Sequence, residues 1–296
     1  MKIIIQTILI VLASAAVLYA QQVAPVFGSH RFVEYLPGDL PIVISVPHDG
    51  AAAPEIISDR TFGVTARDNG TQEIARVMVA EFEQRTGHSP SVIFSHLRRK
   101  KLDVNREEFE AAQDDVTALT AWNDYHGYID SACTAAMKRY GACLLIDLHG
   151  QNHPEKRIEI GYRLENDDLA LSDDALNSPE MIGKSSLRAI VRRSALTHAE
   201  LVRGPKSFGA LFDEHNVRST PSPTQRTPCS YKYFSGGYTI YRHSVEDTSG
   251  VTAVQFELDP ELRERKNSST TAIFLTDVIL KFMRIHYGRE WSHNAQ

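Results

Sequence analysis

Short β-branched segments alternate with amphipathic segments along this chain, and that alternation limits the possible folds more than any other feature. Segments 41–46, 91–94 and 143–148 have the length and composition of buried strands. Segments 70–85 and 116–139 place apolar residues at helical spacing. This order predicts a mixed or mostly parallel sheet with helices on both faces, in which ligands bind at the carboxyl ends of the strands. Further strands are predicted at 157–164 and 251–258, and further helices at 185–196 and 270–287.

The N-terminus has the pattern of a secretory signal. Met1-Lys2 precedes an apolar run from Ile3 to Ala20, and a positive start, an apolar stretch and small residues are typical of a signal peptide. We expect residues 1–20 to be removed, the protein to be secreted, and residues 21–296 to form one domain. An uncleaved anchor is the alternative, but the run is at the lower length limit for spanning a bilayer, so stable membrane insertion is not expected.

Composition restricts the partners. Of the 296 residues, 42% are hydrophobic and 23% charged, which are ordinary values for a globular protein. The formal net charge is -5 without a long basic run, which argues against a nucleic-acid partner.

Three cysteines, Cys133, Cys143 and Cys229, would allow one disulfide in an exported chain. The sequence leaves open which two would pair. Their spacing matches no zinc-binding cysteine motif, so we assign them no catalytic role. Asn69 and Asn267 begin glycosylation sequons.

Two of the predicted strands end at a histidine. His48 follows 41–46 and His149 follows 143–148, so both side chains can point into one cleft. Asp147 precedes His149 by two residues and lies on the same strand face, where it could orient a metal-bound histidine. A packing or surface role is the alternative for each histidine. We interpret them as two ligands of a zinc ion.

A carboxylate would complete the ligand set. Asp68 precedes a predicted helix, where the simplest role of an Asp is to cap the helix N-terminus. As a ligand, it would give two nitrogens and one oxygen and leave a fourth position for water, the pattern of catalytic zinc. Glu73 and Glu55 are the alternative third ligands.

Two further segments predict substrate chemistry. Asn105 and Arg106 follow a basic run, and a guanidinium can bind a carboxylate through two hydrogen bonds, which indicates an acidic substrate. Glu257 lies in the apolar strand 251–258. Buried near a metal, it would suit proton transfer, whereas facing solvent it would have no special role.

Taken together, these motifs resemble the N-formylglutamate amidohydrolase family. The Asn105-Arg106 pair is also similar to the Asp-Leu-Asn-Arg segment of aspartoacylases and succinylglutamate desuccinylases, in the wider zinc carboxypeptidase-like group. The matching segments occur in the family's order over about residues 40–285: Ser-Val-Pro-His-Asp-Gly at 45–50, Asp-Asn-Gly-Thr at 68–71, Leu-Asp-Val-Asn-Arg at 102–106, Asp-Leu-His-Gly at 147–150, Glu-Ile-Gly-Tyr at 159–162, Gly-Gly-Tyr at 236–238 and Gln-Phe-Glu-Leu at 255–258.

The resemblance implies a three-layer α/β/α sandwich with one zinc ion at the strand ends. It also implies that His48 and His149 are ligands, with a carboxylate between them in sequence, and that Glu257 is the general base. The His-x-x-Glu ligand pair of carboxypeptidases is absent, because Ala51 follows Gly50. We therefore predict Asp68 as the third ligand.

The predicted reaction is hydrolysis of the amide bond of an N-acyl, including N-formyl, acidic amino acid by a zinc-bound water. Besides Glu257, we assign Arg98 and Arg99 to stabilisation of the oxyanion. Asn105 and Arg106 would hold the substrate carboxylate. We expect Tyr238, beside two glycines, to close over the substrate from a mobile loop.

Two alternatives use the same fold. One is a secreted zinc carboxypeptidase that acts on the C-termini of short peptides, and the other is a catalytically inactive binding protein. A serine hydrolase is disfavoured because the chain has no Gly-x-Ser-x-Gly motif. Export is unexpected for a catabolic enzyme of the histidine pathway, so the acyl group and the amino acid stay open.

Overall fold

A computed structural model describes residues 24–246 and 250–290, and the predicted signal peptide lies outside them. The strands are β1 Val26–Phe27, β2 Val33–Leu36, β3 Ile42–Val46, β4 Ser91–Ser95, β5 Leu144–Gly150, β6 Ile158–Gly161, β7 Ser219–Thr220 and β8 Thr252–Leu258. The helices are α1 Thr71–Thr86, α2 Glu108–Ala112, α3 Val116–Tyr140, α4 Asn166–Leu169, α5 Asp173–Leu176, α6 Pro179–Lys184, α7 Arg188–Val191, α8 His198–Arg203, α9 Phe208–Glu214, α10 Tyr238–Ile240 and α11 Ser268–Tyr287. A 3-10 turn spans Ser29–Arg31, and a π-helical segment, Tyr241–Glu246, follows α10.

The eight strands form one mixed sheet in the order β1-β2-β4-β3-β5-β8-β6-β7. Its centre, β4-β3-β5-β8, is parallel throughout. Antiparallel pairs flank this centre, β2 with β4 on one side and β6 with β8 on the other. The predicted mixed sheet is therefore confirmed, and its parallel centre brings the carboxyl ends of β3, β5 and β8 to one edge.

Helices cover both faces of the sheet, which confirms the layered α/β fold. Successive strand residues alternate between the two faces. Ile44 and Ile146 lie in the hydrophobic layer that includes residues of α1, α9 and α11. Val43 and Leu145 lie in the opposite layer, against α3.

On the α3 face, polar side chains replace apolar ones toward the carboxyl ends of the central strands. In β5 the apolar Leu145 is followed on the same face by Asp147 and His149, all of them buried. In β8, Ala253 is followed in the same way by Gln255. Buried polar residues at this edge need partners, and they are each other's partners in the site described below.

The helix predicted at 185–196 is confirmed only for one turn, α7 at Arg188–Val191. The buried Ser185, Ser186 and Leu187 separate this turn from the short α6. Ser186 donates its Oγ hydrogen to Ala253 O at 2.7 Å, and its backbone oxygen accepts from Ala253 N at 3.2 Å. These bonds attach the segment to β8 and interrupt the helix, because serine competes for backbone hydrogen bonds.

No helix in residues 24–246 and 250–290 is long and apolar enough to cross a membrane. Within the same residues, Cys133 and Cys143 are buried and Cys229 is exposed.

Candidate metal centre

His48, Asp68 and His149 converge at the carboxyl edge of the sheet. His48 lies two residues after β3, and His149 lies near the end of β5. Asp68 Oδ2 is 3.4 Å from His48 Nδ1 and 3.1 Å from His149 Nδ1. Each side chain offers one ligand atom, and these three atoms lie within 4.8 Å of one another. All three residues are buried. The predicted ligand set therefore forms one cluster that could hold a metal ion.

The outer nitrogen of each histidine contacts a buried carboxylate. His48 Nε2 is 2.7 Å from Asp103 Oδ1, and His149 Nε2 is 2.8 Å from Asp147 Oδ2. An ionised carboxylate only accepts hydrogen bonds, so each Nε2 carries a proton, and in the neutral ring that a metal would bind each Nδ1 keeps a lone pair. Both lone pairs are then directed to the interior of the cluster. Metal-bound histidines show this arrangement, with the second ring nitrogen donating to a carboxylate.

The charges of the site also fit a cation. Four carboxyl groups, those of Asp68, Asp103, Asp147 and Glu257, are buried here, together with the guanidinium groups of Arg60 and Arg99. His48 Nδ1 is a buried nitrogen without a hydrogen-bond partner in the described part of the chain. A divalent ion between the two Nδ1 atoms and Asp68 would give this nitrogen a partner and take the place of the proton on His149 as the positive charge among these carboxyl groups.

The ionisation of these groups follows from their contacts. Burial alone would raise the pKa of Asp68, but the hydrogen bonds and charges of His149 and His48 hold it well below the ordinary value. Burial alone would lower the pKa of His149, but Asp147, Asp68 and Glu257 hold it well above the ordinary value. Without a metal, the cluster therefore retains a proton on His149, which a metal at Nδ1 would displace.

Asp68 can face the histidines because another residue caps helix α1. The helix follows Gly70, whose positive φ of 93° favours glycine. The Asp49 carboxylate accepts hydrogen bonds from Gly70 N and Gln72 N, both at 3.0 Å. Asp68 instead accepts a hydrogen bond from Gly150 N at 3.1 Å. The capping role considered for Asp68 thus belongs to Asp49.

The two alternative third ligands lie elsewhere. Glu73 accepts a hydrogen bond from Ser268 Oγ at 3.0 Å, at the start of α11. Glu55 is exposed in the loop after β3. Of the three carboxylates considered, Asp68 is the one in the cluster.

Asp103 connects the cluster to an arginine. Its second oxygen, Oδ2, accepts from Arg99 Nε at 2.7 Å. Burial alone would raise the pKa of Asp103, but His48 and Arg99 hold it well below the ordinary value. Arg99 lines the cavity beside the cluster, whereas Arg98 is exposed and donates from Nε to Ala51 O at 3.2 Å. The structure thus brings Arg99 to the site but not Arg98.

The Asn105 side chain lies against three neighbours, His149, Thr239 and Gly237. Its Nδ2 lies 3.1 Å from His149 Nε2, and its Oδ1 accepts from Thr239 N at 2.8 Å. A Cβ atom on Gly237 would lie 2.1 Å from Asn105 Nδ2, so only glycine permits this approach. Asn105 therefore connects His149 to the segment around Gly237. Its amide oxygen is engaged by Thr239 N, which was not expected of a substrate ligand.

Glu257 lies on β8 directly opposite His149 in the sheet register. Its Oε1 is 3.9 Å from His149 Nδ1 and accepts from Gln255 Nε2 at 2.8 Å. Burial raises the pKa of Glu257 to about 8, with His149 opposing the shift and Asp68 adding to it. A buried carboxyl group beside the cluster has the position of a proton-transfer group.

The cluster opens into a cavity of about 200 Å³. Arg106 lines it, and its Nε pairs with Glu110 Oε1 at 2.9 Å. Tyr238 is not among the lining residues: its ring centroid lies 6.1 Å from that of Trp122, in the hydrophobic layer that includes α3. The cavity is lined by His48, Asp68, Arg99, Asn105, Arg106, His149, Gly150, Tyr233, Phe234, Ser235, Gly236, Gly237, Gln255 and Glu257.

Sequence reasoning missed several contributors. Gln255 orients Glu257, and its i, i+2 spacing on a strand was the available signal. Asp103 was included in the Leu-Asp-Val-Asn-Arg motif at 102–106, but no role was predicted for it. Tyr233 and Phe234 are the aromatic residues that line the cavity, in place of the Tyr238 predicted to close over the substrate, and they lie in a segment without strand or helix periodicity.

No family model matches the chain, and no curated protein matches its sequence. Solved structures do match it. N-formylglutamate amidohydrolase from Ralstonia eutropha JMP134 superposes with a TM-score of 0.54 at 12% sequence identity, covering 86% of this chain and 98% of that chain. A gene product of Agrobacterium tumefaciens superposes with a TM-score of 0.50 at 16% identity, covering 88% of this chain and 99% of that chain. This chain shares their fold. The structural similarity confirms the fold that the family resemblance implied.

Proposed function

We propose that this protein is a secreted zinc-dependent amidohydrolase that cleaves the amide bond of a small N-acyl acidic amino acid. The observation that carries the proposal is the orientation of the two histidines. Buried carboxylates hold both Nε2 atoms, at 2.7 Å and 2.8 Å, so that both Nδ1 atoms face Asp68. The fold similarity to an N-formylglutamate amidohydrolase supports this class of reaction.

His48, Asp68 and His149 would hold the zinc ion. Bound there, zinc would lower the pKa of a water molecule and polarise the scissile carbonyl. It would also favour the ionised form of Glu257, because a cation would lie beside a carboxyl group whose pKa burial raises. The residues present thus fit the ion in ligand type, charge and tautomer.

Glu257 would act as the general base and then as the general acid. In its ionised form it accepts a proton from the attacking water, and it returns that proton to the leaving nitrogen. Gln255 fixes the carboxylate through the 2.8 Å hydrogen bond to Oε1. Arg99, held by Asp103, presents a guanidinium at the cavity for the developing oxyanion.

The cavity favours a small acidic substrate. Arg106 is about one-third exposed, at 31%, and can contribute to binding a carboxylate while its Nε stays paired with Glu110. A cavity of about 200 Å³ is smaller than the ~300–1,000 Å³ of pockets for drug-sized ligands. An N-acyl amino acid suits this volume better than the end of a peptide.

The test uses purified protein that lacks residues 1–20. We expect stoichiometric zinc by metal analysis, and faster hydrolysis of N-formyl and other N-acyl acidic amino acids than of neutral ones or of C-terminal peptides. Glu257→Gln should lower kcat by about 10²–10⁴-fold, the usual contribution of a general base. Glu261→Gln is the matched control, because Glu261 is 60% exposed and pairs with the exposed Lys156.

Absence of bound zinc, or full activity of the Glu257→Gln variant, would refute the scheme. Faster turnover of peptide C-termini would point to the carboxypeptidase alternative. Ligand binding without turnover in the wild type would indicate an inactive binding protein of this fold.

A further inference from the structure

Behind the metal centre, helix α3 carries Trp122, His126 and Asp130 at four-residue spacing, hence on one face. Trp122 donates from Nε1 to Arg106 O at 2.9 Å, and His126 Nε2 lies 2.9 Å from Val104 O. Helix α3 thus holds the backbone of loop 103–106 at two points. The side chains of that loop contact both candidate histidine ligands.

His126 also reaches the segment that forms the cavity wall. Its Nδ1 lies 2.9 Å from Nε2 of His243, which belongs to the π-helical segment Tyr241–Glu246. The other nitrogen of His243, Nδ1, lies 2.9 Å from Asp130 Oδ1. Both imidazoles are 1% exposed, whereas the Asp130 side chain is 47% exposed. Three successive hydrogen bonds therefore connect a surface carboxylate to Val104 O.

Counting protons determines the charge of this chain of bonds. The carbonyl of Val104 can only accept, and so can the Asp130 carboxylate when ionised. Three bonds between two acceptor ends need three donated protons, but two neutral imidazoles supply only two. The chain therefore holds one extra proton, and the contact with an ionised Asp130 favours its location on His243.

The surroundings agree with that assignment. Burial alone would raise the pKa of Asp130, but His243 and Arg242 hold it below the ordinary value. Burial and the neighbouring charge of His243 hold the pKa of His126 well below its ordinary value, as expected for the neutral member. Among the described residues, Arg242, Trp122, Tyr125 and Tyr238 also face the pair.

The segment that contains His243 begins at the cavity wall. Gly237 N donates to Gln255 Oε1 at 2.7 Å, and Thr239 N donates to Asn105 Oδ1 at 2.8 Å. The first amide holds Gln255, which orients Glu257, and the second holds Asn105, which contacts His149. A connection from His243 to α3 would keep both amides in place.

We infer that His126 and His243 are positioning residues. Their hydrogen-bonded pair holds Gly237 against Gln255 and Thr239 against Asn105, and it carries one proton more than two neutral imidazoles would. Loss of that proton leaves one bond of the chain without a donor and loosens the cavity wall. The inference goes beyond the proposed hydrolysis, and its test needs neither zinc nor a substrate.

Amide hydrogen exchange in the full metal-free chain tests the inference, with Leu145 in the sheet centre as the internal reference. His243→Phe keeps an aromatic ring but removes both donors, so the protection factors of Gly237 and Thr239 should fall about tenfold while Leu145 is unaffected. Unchanged protection of Gly237 and Thr239 would overturn the inference.

Asp130→Asn separates the proton from the hydrogen bonds. The side-chain amide that this substitution introduces can donate to His243 Nδ1, so two neutral imidazoles suffice for all three bonds. As the pH rises, we expect the protection factors of Gly237 and Thr239 to fall about tenfold in the wild type and to stay unchanged in the variant. Identical pH dependence in both proteins would contradict the inference. Asp124→Asn, on the same helix and bonded to Ser29 N, should behave as the wild type.

Imidazole ¹⁵N chemical shifts of the wild type give a second measurement that does not depend on a variant folding. Below the pH at which the protection of Gly237 and Thr239 falls, both nitrogens of His243 should be protonated, and His126 should be protonated at Nε2 alone. A neutral His243 beside an ionised Asp130 under those conditions would refute the proton count.

Discussion

Asp103→Asn tests whether the outer carboxylates set the metal-binding form of the histidines. Asp103 accepts from His48 Nε2 with one oxygen and from Arg99 Nε with the other, both at 2.7 Å. Asparagine has nearly the same shape but replaces one acceptor by a donor. If the amide nitrogen faces His48, Nε2 must accept, and the ring proton moves to Nδ1, the atom that would bind zinc.

The expected effect on zinc affinity follows from that competition. Removing an outer partner of a metal-bound histidine typically weakens metal binding by about 10–100-fold, which corresponds to about 1.4–2.7 kcal/mol. If the amide oxygen faces His48 instead, the tautomer is preserved, but the charge of Arg99 loses its buried partner. Either orientation weakens the site, and the tautomer change weakens it more.

The assay is competition for zinc between the protein and a chromophoric chelator at constant neutral pH. Asp115→Asn is the matched control, because Asp115 caps α3 through Ala118 N at 2.9 Å and asparagine caps helices equally well. Urea unfolding of each metal-free protein shows whether the variants are folded. If Asp103→Asn and the wild type are both folded and bind zinc equally well, the hydrogen bond from His48 Nε2 to Asp103 does not control zinc binding by His48.

Gly237→Ala should destabilise the protein by about 1–3 kcal/mol in urea unfolding, because the new Cβ would lie 2.1 Å from Asn105 Nδ2; an unchanged midpoint would contradict the close approach. Arg76 and His96 lower the pKa of Glu34 below its ordinary 4.5 despite burial, so its ionised form contributes stability above pH 4.5 that is lost as the pH falls. Glu34→Gln should therefore flatten the fall of the urea midpoint in acid, and an equal fall would refute the assignment. Asp49→Ala should lower stability by about 0.5–2 kcal/mol through the lost cap of α1, measured by thermal unfolding.

The sheet and its carboxyl edge could be predicted because their signals are local. Period-two alternation places Asp147 and His149 on one face of β5, and β-branched segments identify the buried strands. The bond between His149 and Asp147 follows directly from that spacing. The helix predicted at 185–196 is reduced to α7, because Ser186 at its start bonds to β8 instead, and Ala253 is distant in sequence.

The choice between Asp49 and Asp68 illustrates what the sequence could not specify. Both carboxylates lie near the start of α1 in the chain or in space, and either could cap a helix. The positive φ of Gly70 turns the chain so that Asp49 receives the first amides and Asp68 receives Gly150 N. That outcome depends on tertiary geometry, which residue type and spacing do not encode.

The register of the sheet relates the site to a simple rule. Ser45, Asp147 and Gln255 are paired across β3, β5 and β8 and form an inner row. Two residues further toward the carboxyl edge, His149 is paired with Glu257 in an outer row. The inner row orients the outer one: Asp147 accepts from His149 at 2.8 Å, and Gln255 donates to Glu257 at 2.8 Å. Each group proposed to react on these strands is thus held by the residue two positions before it. Because strand neighbours two apart share a face, the same strand that delivers a reactive group to the edge also delivers the group that orients it.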